Sequence, residues 1–226
     1  MKNTSEFEKF ARLGRGISSM TLSRYNNAVM DGYINPTIIE ERTLNVAQLD
    51  VFSRLLMDRV IYLGTEINDD VANIIQAQLL WLASMDPKTG ITMYLNTPGG
   101  QVSSGLSIYD TMQIIEPKVS TVCTGMAASM GSILLCAGDK GNRMALPHSK
   151  VLIHRPLGGA KGQCSDILIA AAEISKTRDE LCKIISQHSG QPFEKVFQDM
   201  ERDYWLTANE ALEYGMIDKI LGQNKG

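Results

Sequence analysis

The sequence predicts an α/β protein built on a largely parallel sheet, and three observations carry that expectation. Short apolar runs alternate along the chain with longer segments of helical period. The runs end in glycine or proline, as buried strands do. Glycine and proline punctuate a pattern long enough to bury a core, since the chain has 226 residues and 44% of them are apolar.

Taken in order, Val51, Phe52, Leu55 and Leu56 suit a short helix starting after Asp50, and Val60 to Leu63 reads as a strand closed by Gly64. Asn68 is a good N-cap for a helix in which Val71, Ile74, Ile75, Leu79 and Leu82 recur at helical spacing until Pro87. Ile91, Met93 and Leu95 then alternate with Thr92, Tyr94 and Asn96, giving a strand with two different faces that ends at Pro98, Gly99 and Gly100. The pattern continues as a helix near Ser104 to Ile115, a strand from Val119 to Thr124 and a helix from about Ser129 to Ala137. Short strands follow at Met144 to Leu146 and Val151 to His154.

After the glycines at 158, 159 and 162, a long helix begins at Ser165 or Asp166 and runs to Ser189. Ile167, Ala171, Ile174, Leu181, Ile184, Ile185 and His188 form its stripe, and Gly190 ends it. About 24 residues at 1.5 Å each span roughly 36 Å, enough to project and pack against another subunit. Pro192 opens a short helix, Tyr204 to Leu206 is a strand, and Thr207 with Glu210 forms a capping box for a helix stopped by Gly215. Residues 1–35 lack sustained periodicity and read as an extension or removable segment before a single domain at 36–226.

Composition excludes several functions. The net charge is only -3, and no basic block interleaves with aromatics, so nucleic acid is not an expected partner. No apolar stretch approaches the roughly 20 residues that span a bilayer, and the amino terminus lacks the apolar core of a secretory signal. Neither membrane nor export is expected, and the location expected is cytoplasmic. Cys123, Cys136, Cys164 and Cys182 form no metal-binding spacing and read as small buried or half-buried hydrophobes.

The segment Val122 to Ser132 joins an apolar strand, a glycine turn and small residues, with Ser129 at the mouth of a helix. A hydroxyl there suits nucleophilic attack, because helix-start amides stabilise the resulting oxyanion and small neighbours admit a carbonyl. Close helix packing with Ser129 as N-cap explains the same residues. Among three histidines, His188 reads as a cap at a helix C-terminus and His148 as a solvated loop residue. His154 ends an apolar strand, where sheets of this class present functional groups, and suits a general base; a core histidine is the alternative. Such a base needs an acceptor on its second nitrogen, which chain position alone cannot choose; Asp203, just before Tyr204 and Trp205, is the best local candidate, although an aspartate so placed is more often a surface residue. Gly99 and Gly100 can expose amides to an oxyanion, with the Met130 amide as second donor, or can simply form a turn.

Together, YLNTPGG at 94–100, GMAASMGS at 125–132, LPHSKVLIHRPLGG at 146–159 and ERDYWLTANEALEYGMID at 201–218 resemble the Clp proteolytic subunit (ClpP) family of serine peptidases from about Pro36 onward. The resemblance implies a ClpP/crotonase-like fold of repeated β-β-α units with a projecting handle helix at about 165–189. It implies a triad of Ser129, His154 and Asp203, an oxyanion hole at Gly100 and Met130, and extended peptide held between Gln101–Val102 and Pro156–Leu157–Gly158. That pairing reads backbone more than side chains.

It further implies acyl-enzyme cleavage of unfolded polypeptides inside two stacked heptameric rings. An AAA+ unfoldase of ClpX or ClpA/ClpC type would use ATP and magnesium to feed the chamber, the chain itself needing no cofactor or metal. The unfoldase would dock near Tyr94, Val122, Met144 and Leu221, while Glu201 and Arg202 would pair charges across the ring interface. Two departures bear on docking: the stretch from Glu41 to Leu49 lacks the arginine and glycine pattern common near the axial pore, and Thr92 replaces an aromatic. The alternatives are a crotonase-type enolate site, a serine–lysine dyad with Lys140 or Lys150, and a catalytically silent scaffold subunit of a mixed ring.

Overall fold

A computed structural model describes residues 37–42 and 45–222, so the expected extension at 1–35 lies outside the described residues. The chain divides into two compact units between Ile61 and Tyr62. In the first, β1 (Thr37–Arg42) pairs antiparallel with β2 (Asn45–Asp50), and helix α1 (Val51–Met57) follows. Asp50 caps α1, its carboxylate accepting the Ser53 N–H at 2.9 Å. The hairpin was not among the sequence expectations. Ile38 and Ile39 adjoin Glu40, Glu41 and Arg42, so no alternation marks it.

The second unit is organised by a seven-stranded sheet. Its main path runs β3 (Val60–Leu63), β4 (Ile91–Thr97), β5 (Val119–Ala128), β6 (Arg143–Ala145) and β9 (Lys219–Ile220), with β7 (Lys150–Ile153) joined to β5 and β8 (Tyr204–Thr207) to β7. The β4–β5, β5–β6, β5–β7 and β6–β9 pairings are parallel and only β7–β8 among the remaining described registers is antiparallel, close to the parallel sheet expected. Helices α2 (Asp69–Met85) and α3 (Val102–Ile114) connect the early strands. Asn68 caps α2 as expected, accepting the Val71 N–H at 2.9 Å. Leu79, Leu95, Ile108, Ala127, Leu134 and Val151 are among the side chains that fill the core.

Buried α4 (Met130–Cys136) follows β5 directly, and α5 (Cys164–Ser189) is the long helix, ended by Gly190 at φ +79°. Only Leu181, Cys182, Ile184 and Ile185 of α5 are buried, while Ile167, Leu168 and Ile169 are exposed. The sequence stripe therefore finds its core only toward the carboxyl end. After α6 (Phe193–Asp199) and β8, the Thr207–Glu210 capping box starts α7 (Ala208–Tyr214), as expected. Strand β9 was not expected, because two residues carry no period.

Asp218, just before β9, locks that strand to β6. Its carboxylate meets the buried Arg143 guanidinium at 2.6 and 2.9 Å and accepts the Gly141 and Arg143 N–H groups. Burial alone would raise the Asp218 pKa, but these donors hold it below the ordinary carboxylate value. Cys123, Cys136 and Cys182 are buried, whereas Cys164 is exposed, against the expectation, because it opens α5 where that helix meets no core. Among the described residues, no helix is long and apolar enough to cross a membrane.

Candidate active site

A bulge delivers the serine. The β4–β5 register shifts between Leu95, opposite Cys123, and Thr97, opposite Ala127. Asn96 Oδ1 accepts the Met126 N–H at 3.1 Å in the gap, and a Cβ at Gly125 would come within 2.6 Å of that oxygen. Before the bulge β5 pairs with β6; after it, Met126, Ala127 and Ala128 pair with Lys150, Val151 and Leu152 of β7. A bulge re-aims the strand that contains it. The end of β5 is thereby set beside β7.

Ser129 is the single residue between β5 and α4, at φ +53° and ψ -122°. That backbone conformation is strained for a residue with a side chain, and it needs support from its surroundings. The support is visible: the Ser129 N–H donates to Leu152 O at 2.9 Å, and its carbonyl accepts from the Ser132 N–H and Oγ at 3.0 and 2.7 Å. Gly99 packs against this turn so closely that a Cβ there would lie 2.5 Å from Ala128 O and 2.6 Å from Ser129 Cβ. Gly100 is bridged to Ile67, whose N–H donates to Gly99 O and whose carbonyl accepts the Gln101 N–H, both at 2.8 Å. Thr97 Oγ1 accepts the Gly99 N–H at 3.1 Å. Among the described residues the N–H groups of Gly100 and Met130 have no acceptor, so two donors remain uncommitted near Ser129.

The antiparallel β7–β8 register explains how His154 meets Asp203. Its last pair is Ile153 with Tyr204, so the next residue outward is His154 on one strand and Asp203 on the other. The imidazole Nδ1 lies 3.9 Å from Asp203 Oδ1, with the histidine side chain 14% and the aspartate side chain 68% exposed. That separation is longer than a hydrogen bond. A small pocket is lined by Ser129, Met130, Val102, Ser132, Ile133, Ile153, His154, Pro156, Leu181, Ile185 and Met200. Ser129 and His154 thus share one cavity, although among the described residues no hydrogen bond joins them.

Other expected residues fall in different places. Gln101 adjoins the pocket residue Val102 as the N-cap of α3, Leu157 is 85% exposed, and Gly158 backs onto Ile174 of α5. Tyr94, Val122 and Met144 form a single row across β4, β5 and β6, and the Leu221 N–H donates to Ala145 O beside it. Arg202 is exposed, and Glu201 is paired within the chain, 2.8 Å from Arg155. His148 is exposed in a turn, as expected. His188 is not a cap. Its Nε2 lies 3.1 Å from the Tyr109 hydroxyl, the rings meet edge to face, and burial with Arg143 nearby lowers its pKa, so neutral packing has displaced the dipole role.

Sequence reasoning missed Asn96 and Thr97, whose side-chain oxygens accept backbone N–H groups, and Ile67 and Met200, which act through their own backbone; none of these contacts leaves a residue pattern. Arg155, adjacent to His154, carried a signal in its position alone. Among the described residues, no group of three or more His, Cys, Asp or Glu side chains is arranged to hold a metal ion.

Comparison with known proteins adds an independent line. The family model for Clp protease matches residues 43–224. The chain is 61% identical over 221 residues to the ATP-dependent Clp protease proteolytic subunit of Porphyromonas gingivalis, covering 98% of this chain and 99% of that protein. Proteins of the same description from Bacteroides fragilis strain YCH46 and Bacteroides thetaiotaomicron are 59% and 57% identical, each over 216 residues spanning 96% of this chain and 98% of theirs.

Proposed function

The chain belongs to the Clp protease family and is a serine peptidase working with an unfoldase partner, and we propose that Ser129, His154 and Asp203 are its catalytic triad. The observation that supports this reading above others is the strand-end convergence: β5 carries Ser129 beside Leu152, and the β7–β8 register sets His154 opposite Asp203. The silent-scaffold alternative is not favoured, since each relative above is described as a proteolytic subunit.

In the reaction so drawn, Ser129 Oγ attacks the scissile carbonyl carbon while His154 Nε2 takes the hydroxyl proton. Nδ1 faces Asp203, which leaves Nε2 for the serine and gives the imidazolium a neighbouring negative charge. The oxyanion accepts hydrogen bonds from the Gly100 and Met130 N–H groups. As the C–N bond breaks, His154 returns the proton to the leaving amine, and the acyl-enzyme is released by water that His154 deprotonates. Closing the gap between Nδ1 and Oδ1 requires a movement of about 1 Å, within what substrate binding commonly tightens.

Peptide would lie extended between Gln101–Val102 and Pro156–Gly158, offering its backbone to both edges. The same family reading assigns residues 36–226 to one peptidase domain, stacked heptameric rings to the assembly and the cytoplasm to its location. It assigns docking of an AAA+ unfoldase to the Tyr94–Val122–Met144 row with Leu221, and Glu201 and Arg202 to the ring interface.

A serine-directed fluorophosphonate, followed by mass spectrometry of the labelled peptide, tests the triad. Labelling is expected at Ser129 and is expected to vanish in His154→Ala. Ser129→Ala should lower peptide hydrolysis by about 10⁴-fold or more while assembly persists. Full turnover in that variant would refute the assignment.

A further inference from the structure

We infer that Gln101 is a specificity-determining residue that selects a hydrogen-bond donor among substrate side chains, and that Ser104 and Asp69 are the positioning residues that fix its amide. This role rests on the peptide groove and triad proposed above. Gln101 stands between two residues of the site: Gly100, whose N–H has no acceptor among the described residues, and Val102, which lines the pocket with Ser129 and His154. Its own N–H donates to Ile67 O at 2.8 Å, and its carbonyl accepts the Gly105 N–H at 3.0 Å. With its backbone donor committed and its acceptor engaged inside the chain, what Gln101 can offer a neighbouring peptide is its side chain.

That side chain is exposed, yet it is anchored. Although Gln101 is the N-cap residue of α3, its amide does not cap that helix. It lies instead 3.0 Å from the hydroxyl of Ser104, which is 3% exposed and stands 2.5 Å from Oδ1 of Asp69 in the first turn of α2. A hydroxyl has a single proton. The Asp69 carboxylate, closer and charged, takes it. Ser104 Oγ is then left to accept, and the Gln101 amide meets it with the NH2 turned inward, since the two ends of an amide are alike in shape. The chain of donors runs from Gln101 to Ser104 to Asp69, and it directs the amide oxygen outward. Among the described residues Ser104 is the partner of this amide, so the outward oxygen is open to accept.

An amide oxygen accepts and cannot donate, so the side chains it favours are donors: Ser, Thr, Asn, Gln, Lys and Arg. Because the amide is already ordered, contact with it costs little further side-chain freedom. The contact lies at an exposed edge, where a neutral hydrogen bond changes a rate by a factor of about three to ten.

Fluorogenic peptides carrying Asn or its near-isostere Leu at each position flanking the scissile bond in turn measure the selection as a ratio of kcat/KM values. At one position the wild-type Asn-to-Leu ratio is expected to exceed that of Gln101→Leu by about three- to tenfold. Gln101→Glu should move the preference at the same position toward Lys, by about tenfold at low salt and less at high salt. Ser104→Ala, which releases the amide, should lose about half of the wild-type ratio or more; a ratio between two substrates cancels any loss of folded enzyme. Equal ratios in wild type and Gln101→Leu at every position, or no gain for Lys in Gln101→Glu, would overturn the selection, and a full ratio in Ser104→Ala would overturn the anchoring. Fluorophosphonate labelling of wild-type Ser129 reports the triad separately, and N-methylation of each peptide nitrogen in turn reports the backbone pairing. If both behave as expected while the ratios stay flat, the groove stands and the role of Gln101 falls.

Discussion

At the scale of single residues, the half-buried His188 carries a charge-state consequence. It contacts the Tyr109 hydroxyl through Nε2, and its carbonyl accepts from the Arg143 guanidinium, whose positive charge opposes protonation of the ring. Burial first, and that guanidinium second, lower its pKa from 6.5, so the folded state keeps the imidazole neutral where the unfolded chain would protonate it. The unfolded state then binds more protons, and stability rises with pH. Its contribution is complete above the unfolded value near 6.5 and is lost as pH falls toward the lower folded value. The melting temperature should therefore drop on acidification from pH 7.5 to 5, and His188→Phe should reduce that slope; an unaltered slope would remove His188 as its source. From sequence this histidine looked like a helix cap, because its partner Tyr109 lies 79 residues away and nothing local announces it. The strand-end positions of His154 and Asp203 were legible for the opposite reason, because periodicity delimits the strands they adjoin.

Secondary elements repeat that division between local and distant causes. Asn68, Gly190 and the Thr207–Glu210 box were readable because capping is decided within four residues. The β4–β5 bulge was not, since it depends on Asn96 reaching Met126 from another strand, and so β5 runs to Ala128 rather than ending at Thr124. Distant pairing also governs how β6 and β9 stay together. Arg143 is 3% exposed and gives its guanidinium to Asp218 and to the carbonyls of Cys136 and His188, tying a three-residue and a two-residue strand to two helix ends. Removing one partner leaves a buried charge uncompensated, at a cost of about 3–5 kcal/mol. Asp218→Ala should accordingly lower the urea midpoint without altering the m-value, and a midpoint within error of wild type would show that water solvates Arg143 adequately.

On the scale of the whole molecule, what stands out is a helix that outruns its own core. At 26 residues α5 measures about 39 Å, yet its buried side chains all lie between Leu181 and Ile185, and Ile167, Leu168 and Ile169 stand 42%, 64% and 69% exposed. Contiguous exposed apolar side chains of this kind mark association surfaces. Leu168→Glu is expected to reduce the sedimenting mass of the assembly while leaving the circular dichroism of the fold intact; an unchanged mass would place the association surface elsewhere. Whatever covers those side chains binds the folded chain and not the unfolded one, so it adds stability by mass action. Dilution then acts as a denaturant, and two laboratories working at different protein concentrations would report different melting points for the same chain.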